Sequence, residues 1–383
     1  MAKTIQNQYH PTIVTCPGEI LAEALEERGM KQTQLAARMG RPEKTISEII
    51  NGKAALTPET ALQLERVLNI PARFWNSLER NYRESLAQQA AQEQLQHYQD
   101  WARTFPYPAM AKQGWVPPTR KAQEKAEALL RFFGVASPDQ HTALWQTQAL
   151  AFRQSPSFEP DVAATTAWLR QGERQAALLS PQPYNATTFK QALQASRPLL
   201  HHPIPSIWET LVQSWAEAGV ALVLVPSLPG VRASGVTRWI SAKKPLIQLS
   251  LRHKRDDHFW FTLFHESCHV LQEQKQKTFI DLQPGQFLPD LSCTDPTQQA
   301  QVTKLEEEAD RFAESVLIPP EDWQAFRSAG SFTTNSIKSF AHNLGIAPGI
   351  VVGRLRKEEL ILQNRFQSLF QALDWDSFNR SQD

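Results

Sequence analysis

Residues 265 to 269 read His-Glu-Ser-Cys-His, and this pentapeptide has the residue types and spacing of a metal-binding helix. On a helix, His265 and His269 are one turn apart, so both imidazoles leave the same face and can bind one ion. Glu266 would lie beside that ion, where its carboxylate could take a proton from a water molecule. Neutral imidazole suits zinc, and three protein ligands with one water make a catalytic site. The alternative interpretation is a core helix with two partly buried histidines.

A second segment, residues 305 to 320, offers the third ligand. Its apolar residues recur at helical spacing and a proline pair ends the pattern, which predicts a second amphipathic helix. Glu306 and Asp310 share one face of that helix. Glu306 would complete a His-His-Glu set, and Asp310 could accept the free ring N–H of a ligand histidine. Glu308 stays open as the ligand if the register of the helix differs.

The two segments together resemble the ImmA/IrrE family of zinc metallopeptidases, through HExxH and a later helix of the form EExEAD-FAxxxLxP. Three short apolar segments before the first helix suit the small sheet of such peptidases, at residues 221–225, 234–240 and 246–250. One departure is Ser267-Cys268, where family members often have Gly, and we interpret Cys268 as a small core residue. The resemblance implies zinc on His265, His269 and Glu306, with a protein substrate that is a repressor or the chain itself.

Residues 17 to 83 carry a second, independent signature. Amphipathic patterns broken at Gly29 and Gly40, and restarted by the Thr57-Pro58 pair and after Ile70-Pro71, predict five short helices. Two short helices joined by a tight turn and backed by three others make a helix-turn-helix domain.

This segment resembles the Xre/Cro-type DNA-binding domains, in particular the HigA-like antitoxin branch, most closely over residues 44 to 62. The family's docking on DNA implies that four side chains face base edges or nearby phosphates: Gln32, Glu43, Lys44 and Glu48. It implies that three others contact the DNA backbone: Arg41, Thr45 and Lys53. The partner would be double-stranded operator DNA, read by a homodimer.

The charge of the chain is locally basic and globally balanced. Between Arg28 and Lys53 six Lys or Arg residues oppose two Glu, whereas the whole chain has a net charge of +1. The electrostatic footprint for DNA is therefore a patch on one domain.

Length and composition set the outer limits. A soluble chain of 383 residues should hold two or three domains. The three cysteines are too few and too scattered for a disulfide framework, the first residues are polar, and no apolar run has membrane-spanning length, so we expect a cytoplasmic protein that uses no membrane. The expected fold is mainly α with a small β-sheet, divided into a DNA-binding domain (1–83), a helical connecting or sensing region (84–217) and a zincin-like peptidase domain (218–383).

Together the two signatures predict a DNA-binding transcriptional regulator that carries a zinc-dependent endopeptidase and acts in a stress, phage or toxin–antitoxin type of response. The alternative is a HigA-like antitoxin or repressor whose zinc domain is a non-catalytic sensor.

Overall fold

A computed structural model describes residues 15–153, 161–179, 181–273, 279–283, 286–287 and 296–379. The chain divides into two compact units, with the boundary between Gln99 and Asp100. Among the described residues, no helix has both the length and the apolar character needed to cross a membrane.

The first unit is the predicted bundle of five helices. Their bounds are α1 Pro17–Glu27, α2 Gln32–Met39, α3 Glu43–Ile50, α4 Pro58–Leu68 and α5 Ala72–His97. Gly40 ends α2 with a φ of 62°, a left-handed conformation that glycine adopts without steric cost, and this lets the chain turn directly into α3. The core contains Leu35, Ile46 and Trp75, each with no exposed side chain. The prediction of a five-helix domain is confirmed, although α5 extends beyond residue 83.

The second unit contains thirteen described α-helices and a small sheet. The helices before the sheet are α6 Gln99–Arg103, α7 Tyr107–Lys112, α8 Ala122–Phe133, α9 Pro138–Arg153, α10 Val162–Leu179, α11 Ala186–Ser196 and α12 Ile204–Glu217. The helices after its first three strands are α13 Asp256–Leu271, α14 Pro296–Leu317, α15 Pro320–Ser328, α16 Thr334–Leu344, α17 Pro348–Lys357 and α18 Trp375–Asn379. Two short 3-10 helices lie at Arg197–His201 and Gln367–Leu369.

The sheet has five described strands. They are β1 Ala221–Leu224, β2 Gly235–Ser241, β3 Lys244–Leu249, β4 Phe279–Gln283 and β5 Gln286–Phe287, in the spatial order β1-β3-β2-β4-β5. β1 is parallel to β3, and β2 is antiparallel to both β3 and β4. The first three strands are those that the sequence predicts, and β4 and β5 are additional. The prediction of a mainly α fold with a small sheet is confirmed.

Side chains alternate across a strand, and the two faces of this sheet accordingly contact different helices. On one face, Gln248 of β3 donates to the backbone oxygen of Trp168 on α10 (2.8 Å), and the Trp168 indole donates to Val225 O (3.2 Å). On the other face, Thr237 of β2 contacts α13. The sheet therefore lies between α10 and α13.

This packing changes the expected division into domains. The sequence predicts a separate helical region at residues 84–217, but α10 and α12 cover the sheet and belong to the same unit as α13. The reason is the indole contact of Trp168 with Val225 and the amide contact of Gln248 with Trp168, which join segments 57 and 80 residues apart and leave no trace in local sequence patterns.

Candidate functional site

α13 is buried along most of its length, and the side chains of its two motif histidines converge on one side of the helix. It begins after Arg255 with two acidic residues in its first turn, where carboxylates favour the helix dipole, and it has no internal Gly or Pro. His265 and His269 are 2% and 1% exposed. Their Nε2 atoms lie 3.1 Å apart, so the two imidazoles converge as the i, i+4 spacing predicts.

Glu306 on α14 completes a cluster with these histidines. Its Oε2 lies 3.2 Å from His265 Nε2 and 3.4 Å from His269 Nε2, and Glu306 is 4% exposed. Ligand atoms at 2.0–2.1 Å from a tetrahedral zinc ion stand about 3.3 Å from one another. The three donor atoms therefore have the mutual spacing and the chemistry that zinc requires.

The other ring nitrogen of each histidine is held by a separate acceptor. His265 Nδ1 lies 3.0 Å from Asp310 Oδ1, as predicted. His269 Nδ1 lies 2.9 Å from Gln272 Oε1. The Gln272 amide nitrogen donates to Leu305 O (2.9 Å), which leaves its oxygen to accept from His269. When Nδ1 is the donor in both contacts, both Nε2 atoms present lone pairs on the side of Glu306. This arrangement of electron-pair donors suits a cation.

The charge state of Glu306 agrees with that geometry. Burial raises its pKa, but hydrogen bonds and charge from His265 and His269, in the form whose Nε2 atoms carry protons, outweigh burial, so the pKa lies below its ordinary value. The carboxylate form, which is the ligand form, is therefore favoured near neutral pH.

Glu266, the predicted proton acceptor, lies against β2. It has no exposed surface, and its Oε2 accepts a hydrogen bond from Thr237 Oγ1 at 2.6 Å. Gly235 permits this approach, because a Cβ at that position would lie 2.8 Å from Glu266 Oε1 and 2.5 Å from a methyl of Thr262. The role of Glu266 in proton transfer stays a prediction.

The structure separates the predicted acidic residues of α14. Glu306 is buried at the histidine pair, whereas Glu308 is exposed and only reaches the Gln272 amide at 3.4 Å. The alternative ligand Glu308 is thus disfavoured by geometry. Cys268 is 5% exposed, and burial, followed by the charges of Glu308 and Glu306, raises the pKa of its thiol to about 12. Its interpretation as a core residue agrees with both facts.

Three residues near the cluster were missed by sequence reasoning. They are Gln272, Thr237 and Lys357, whose ammonium lies 3.2 Å from Asp310 Oδ2. Gln272 lies three residues after His269 on the same helix, so that spacing was a usable signal. The other two belong to elements whose register against α13 and α14 the sequence does not reveal.

The predicted DNA-reading residues lie on α2, α3 and the turns that follow each helix. Ile46 and Ile49 of α3 are buried, whereas Glu43 and Lys44 are exposed. Gln32, Thr45 and Glu48 are partly exposed, and Lys53 is exposed. Lys44 and Glu48 lie 3.8 Å apart, a long surface pair that solvent screens. Their contacts with DNA stay predictions.

Arg41 differs from the other predicted contacts. It lies 3.4 Å from the Glu59 carboxylate and donates to the Gln63 side chain, both on α4. Arg41 therefore joins the turn before α3 to α4, and its predicted phosphate contact would have to coexist with these partners.

Comparisons with known proteins identify the first unit. A helix-turn-helix family model, HTH_3, matches residues 21–75. The HTH-type transcriptional regulator YddM of Escherichia coli, itself described as uncharacterized, is 36% identical over 63 residues, which is 16% of this chain and 67% of that protein. Virulence-associated protein A of Dichelobacter nodosus is 32% identical over 83 residues, 21% of this chain and 76% of that protein.

Two solved structures are also similar to part of the chain. One is an addiction module antidote protein of the HigA family from Coxiella burnetii, with 30% identity, a TM-score of 0.21, and coverage of 22% of this chain and 92% of that one. The other is a putative antidote protein of a plasmid maintenance system from Nostoc punctiforme, with 28% identity, a TM-score of 0.21, and coverage of 22% and 91%.

The fold and the family match define a DNA-binding domain of the helix-turn-helix class. Through its N-terminal segment the chain belongs to the HTH_3 helix-turn-helix family. The relatives align with about a fifth of this chain, so the role of the second unit is argued from its own residues.

Proposed function

We propose that this chain is a DNA-binding transcriptional regulator whose second unit is a zinc-dependent endopeptidase. The first half of the proposal rests on the helix-turn-helix match. The second half rests on one observation, the spacing of 3.1–3.4 Å among the Nε2 atoms of His265 and His269 and the Glu306 carboxylate. The resemblance of the motif and of the α14 sequence to the ImmA/IrrE peptidases supports it further.

In this proposal the chain's own residues divide the work. His265, His269 and Glu306 hold the ion, while Asp310 and Gln272 keep both imidazoles in the ligating tautomer. When bound, zinc would supply a Lewis acid and lower the pKa of water at the site.

Glu266 would take a proton from the attacking water onto a carboxylate oxygen, as the water oxygen bonds to the peptide carbon. It would return that proton to the nitrogen as the C–N bond breaks. Thr237, which donates to Glu266 Oε2, would orient the carboxylate. The substrate would be a repressor or the chain itself, cleaved in a stress, phage or toxin–antitoxin type of response.

The metal site is tested by the zinc content of the untagged full chain and two variants. We expect near-stoichiometric zinc in the wild type and in Glu307→Ala, and little in Glu306→Ala. Glu307 is the matched control because it is exposed and adjacent to Glu306 on α14. A wild-type protein that is folded but does not bind added zinc would exclude the metal site.

Peptidase activity is tested with Glu266→Gln, which should keep zinc and lose hydrolysis. The zinc-loaded full chain is incubated alone and with a proteome-derived peptide library, and mass spectrometry records new termini. New termini formed by the wild type and not by Glu266→Gln support the mechanism. Equal cleavage by both proteins, or none by the wild type, contradicts it.

One observation favours the second candidate, a HigA-like antitoxin or repressor whose zinc domain senses without catalysis. Glu266 is fully buried and its carboxylate already accepts the Thr237 hydroxyl, an environment that also suits a structural residue. Under this candidate, zinc binding survives while no cleavage occurs. The two measurements above therefore separate the candidates.

A further inference from the structure

A cavity of about 500 Å³ lies within the second unit, bounded by α13, α14 and α17. Part of its wall is apolar and comes from Phe261, Leu317, Ile318 and Ile350. Asp310 also lines it, but the described lining includes none of the three ligand residues and not Glu266. The cavity is therefore behind the metal cluster, on the Nδ1 side of His265.

Most charged groups of the wall neutralise one another. Three of its cations have carboxylate partners within the same wall, in the pairs Arg255–Asp257, Arg354–Glu314 and Lys357–Asp310. Glu359, the remaining carboxylate, is exposed to solvent.

Arg356 is the exception among the cations. It is 4% exposed, and its side chain donates to the backbone oxygen of Arg365 but makes no ion pair with any described residue. Its Nε is buried without a hydrogen-bond partner in the described part of the chain. A buried guanidinium of this kind is unfavourable unless an anion compensates it.

A second guanidinium, that of Arg255, lies nearby, although it is paired with Asp257. The Arg356 and Arg255 guanidinium carbons stand 4.6 Å and 3.9 Å from the centre of the same Phe370 ring. Burial, followed by the charge of Arg255, lowers the pKa of Arg356, and Asp257 opposes this only in part. The wall thus combines an apolar region with a buried cation that has no carboxylate in ion-pair contact among the described residues.

We propose that this cavity binds a small molecule with a carboxylate and an apolar body, in which the carboxylate compensates Arg356 and the body packs on Phe261, Leu317 and Ile350. The volume is within the range of small-molecule sites, which are mostly apolar with a few oriented polar groups. The site is separate from the metal cluster and does not require the proposed peptidase activity.

The test uses calorimetric titration of the folded, EDTA-treated full chain with 1-naphthylacetate, and with 1-naphthylacetamide as a neutral molecule of nearly the same shape. We expect the carboxylate to bind at least ten-fold more tightly than the amide. Equal affinities would overturn the proposed role of charge. A carboxylate that does not bind at millimolar concentration would overturn the site.

Variants locate the bound probe. We expect Arg356→Gln to weaken 1-naphthylacetate at least ten-fold, whereas Arg327→Gln, at an exposed arginine of α15, leaves it unchanged. Because Arg356 is buried and its loss can unfold the unit, Gln363→Glu provides a second variant at an exposed residue of the lining. Its added negative charge should weaken binding several-fold. Wild-type affinity in Gln363→Glu, or in folded Arg356→Gln, would overturn the assignment.

A last variant separates this site from the metal cluster. Glu306→Ala should lose zinc if the proposed function is right, yet keep the affinity for 1-naphthylacetate. Loss of the probe in folded Glu306→Ala would assign it to the metal cluster and overturn the separate site, whatever the outcome for zinc.

Discussion

At the scale of single residues, the hydrogen bonds behind the histidines should control how tightly zinc binds. Asp310 accepts from His265 Nδ1 and is itself held by Lys357. Loss of such a partner typically weakens metal binding 10–100-fold, because the imidazole becomes a poorer donor and loses its fixed orientation. We therefore expect the Asp310→Asn variant to bind zinc about 10-fold or more weakly than the wild type. The neutral amide fills the same space as the carboxylate, so the substitution removes the charge and leaves the packing intact.

Competition with a chromophoric chelator measures that affinity. Asp322→Asn, an exposed acid on α15, serves as the control for loss of one negative charge and should bind zinc as the wild type does. Equal zinc affinities of Asp310→Asn and Asp322→Asn would mean that the Asp310–His265 contact contributes nothing to the site.

The cluster of His265, His269 and Glu306 also shows which residues of the candidate site can be predicted from the sequence. His265, Glu266 and His269 are related by helical spacing alone, so their positions follow from local geometry. Glu306 lies on a second helix, α14, so its position beside the histidines depends on how the two helices pack. The sequence motif of α14 was enough to predict it. Gln272 and Thr237 depend on contacts across elements: Gln272 is oriented by Leu305 O, and Thr237 reaches Glu266 from β2. Such contacts are set by register between elements, which one sequence leaves open.

At the scale of elements, α10 packs so closely on the sheet that one added methyl should destabilise the second unit. A Cβ at Gly172 would lie 1.8 Å from Gln248 Oε1. Gly→Ala normally favours a helix by about 1 kcal/mol, but overpacking costs about 1–3 kcal/mol and here also displaces the Gln248–Trp168 hydrogen bond. We expect Gly172→Ala to lower the free energy of unfolding by about 1–2 kcal/mol.

Urea unfolding followed by tryptophan fluorescence measures the effect. Leu178→Ala, at a residue of α10 that is 84% exposed, should leave stability unchanged. Adding Gln248→Ala to Gly172→Ala removes the clash. The double variant should therefore lose less free energy of unfolding than the sum of the two single variants. If the changes in the free energy of unfolding of the two single variants add up to that of the double variant, Gly172 and Gln248 do not compete for the same space.

The start of α13 should make the stability of the second unit depend on pH. Asp256 has no exposed surface and accepts a hydrogen bond from Gln371 N at 3.0 Å. Burial, followed by the charge of Asp257, raises the pKa of Asp256 from 3.8 to about 7. Between pH 3.8 and about 7, Asp256 is mostly ionised in the unfolded chain and mostly protonated in the folded protein. The contribution of Asp256 to the free energy of unfolding therefore falls as pH rises through this window.

Asp256→Asn tests that sign, because the amide stays neutral and its oxygen can still accept from Gln371 N. Relative to the wild type, we expect its Tm to be higher at pH 8 by on the order of a few degrees, and this gain to shrink towards pH 4.5. Asp376→Asn, an exposed acid on α18, is the control. A gain in Tm that is the same at both pH values would contradict an ionised, buried Asp256.

Local sequence patterns determine the positions of the helices, whereas contacts between distant segments leave no local pattern. The helices of the first unit follow from Gly40, the Thr57 cap and the apolar spacing, and they lie where the sequence predicts. The placement of α10 on the sheet did not follow, since Trp168 and Val225 meet across 57 positions of sequence. Helix positions were thus predictable, whereas the layer that joins the middle helices to the sheet was not.

At the scale of the whole molecule, charge decides which residues attract DNA. The chain has 40 Lys and Arg against 39 Asp and Glu, so its net charge of +1 gives no general attraction to a polyanion. The local excess from Arg28 to Lys53, six cations against two Glu, must then supply the non-specific part of DNA affinity. Since Lys53 is exposed and has no carboxylate partner among the described residues, its ammonium is available to a phosphate.

Lys53→Ala should therefore weaken binding to every DNA sequence by a similar factor. We expect the slope of log affinity against log salt to lose about one unit, because one phosphate contact releases about one counterion. Fluorescence anisotropy measures the affinity of the full chain at several salt concentrations for two duplexes. One duplex has a random sequence, and the other is selected by the chain from a random library. Each duplex gives one slope. Lys338→Ala, an exposed lysine of α16, should leave both slopes at wild-type values. If Lys53→Ala weakened only the selected duplex, Lys53 would contact bases, and its assignment to the DNA backbone would be wrong.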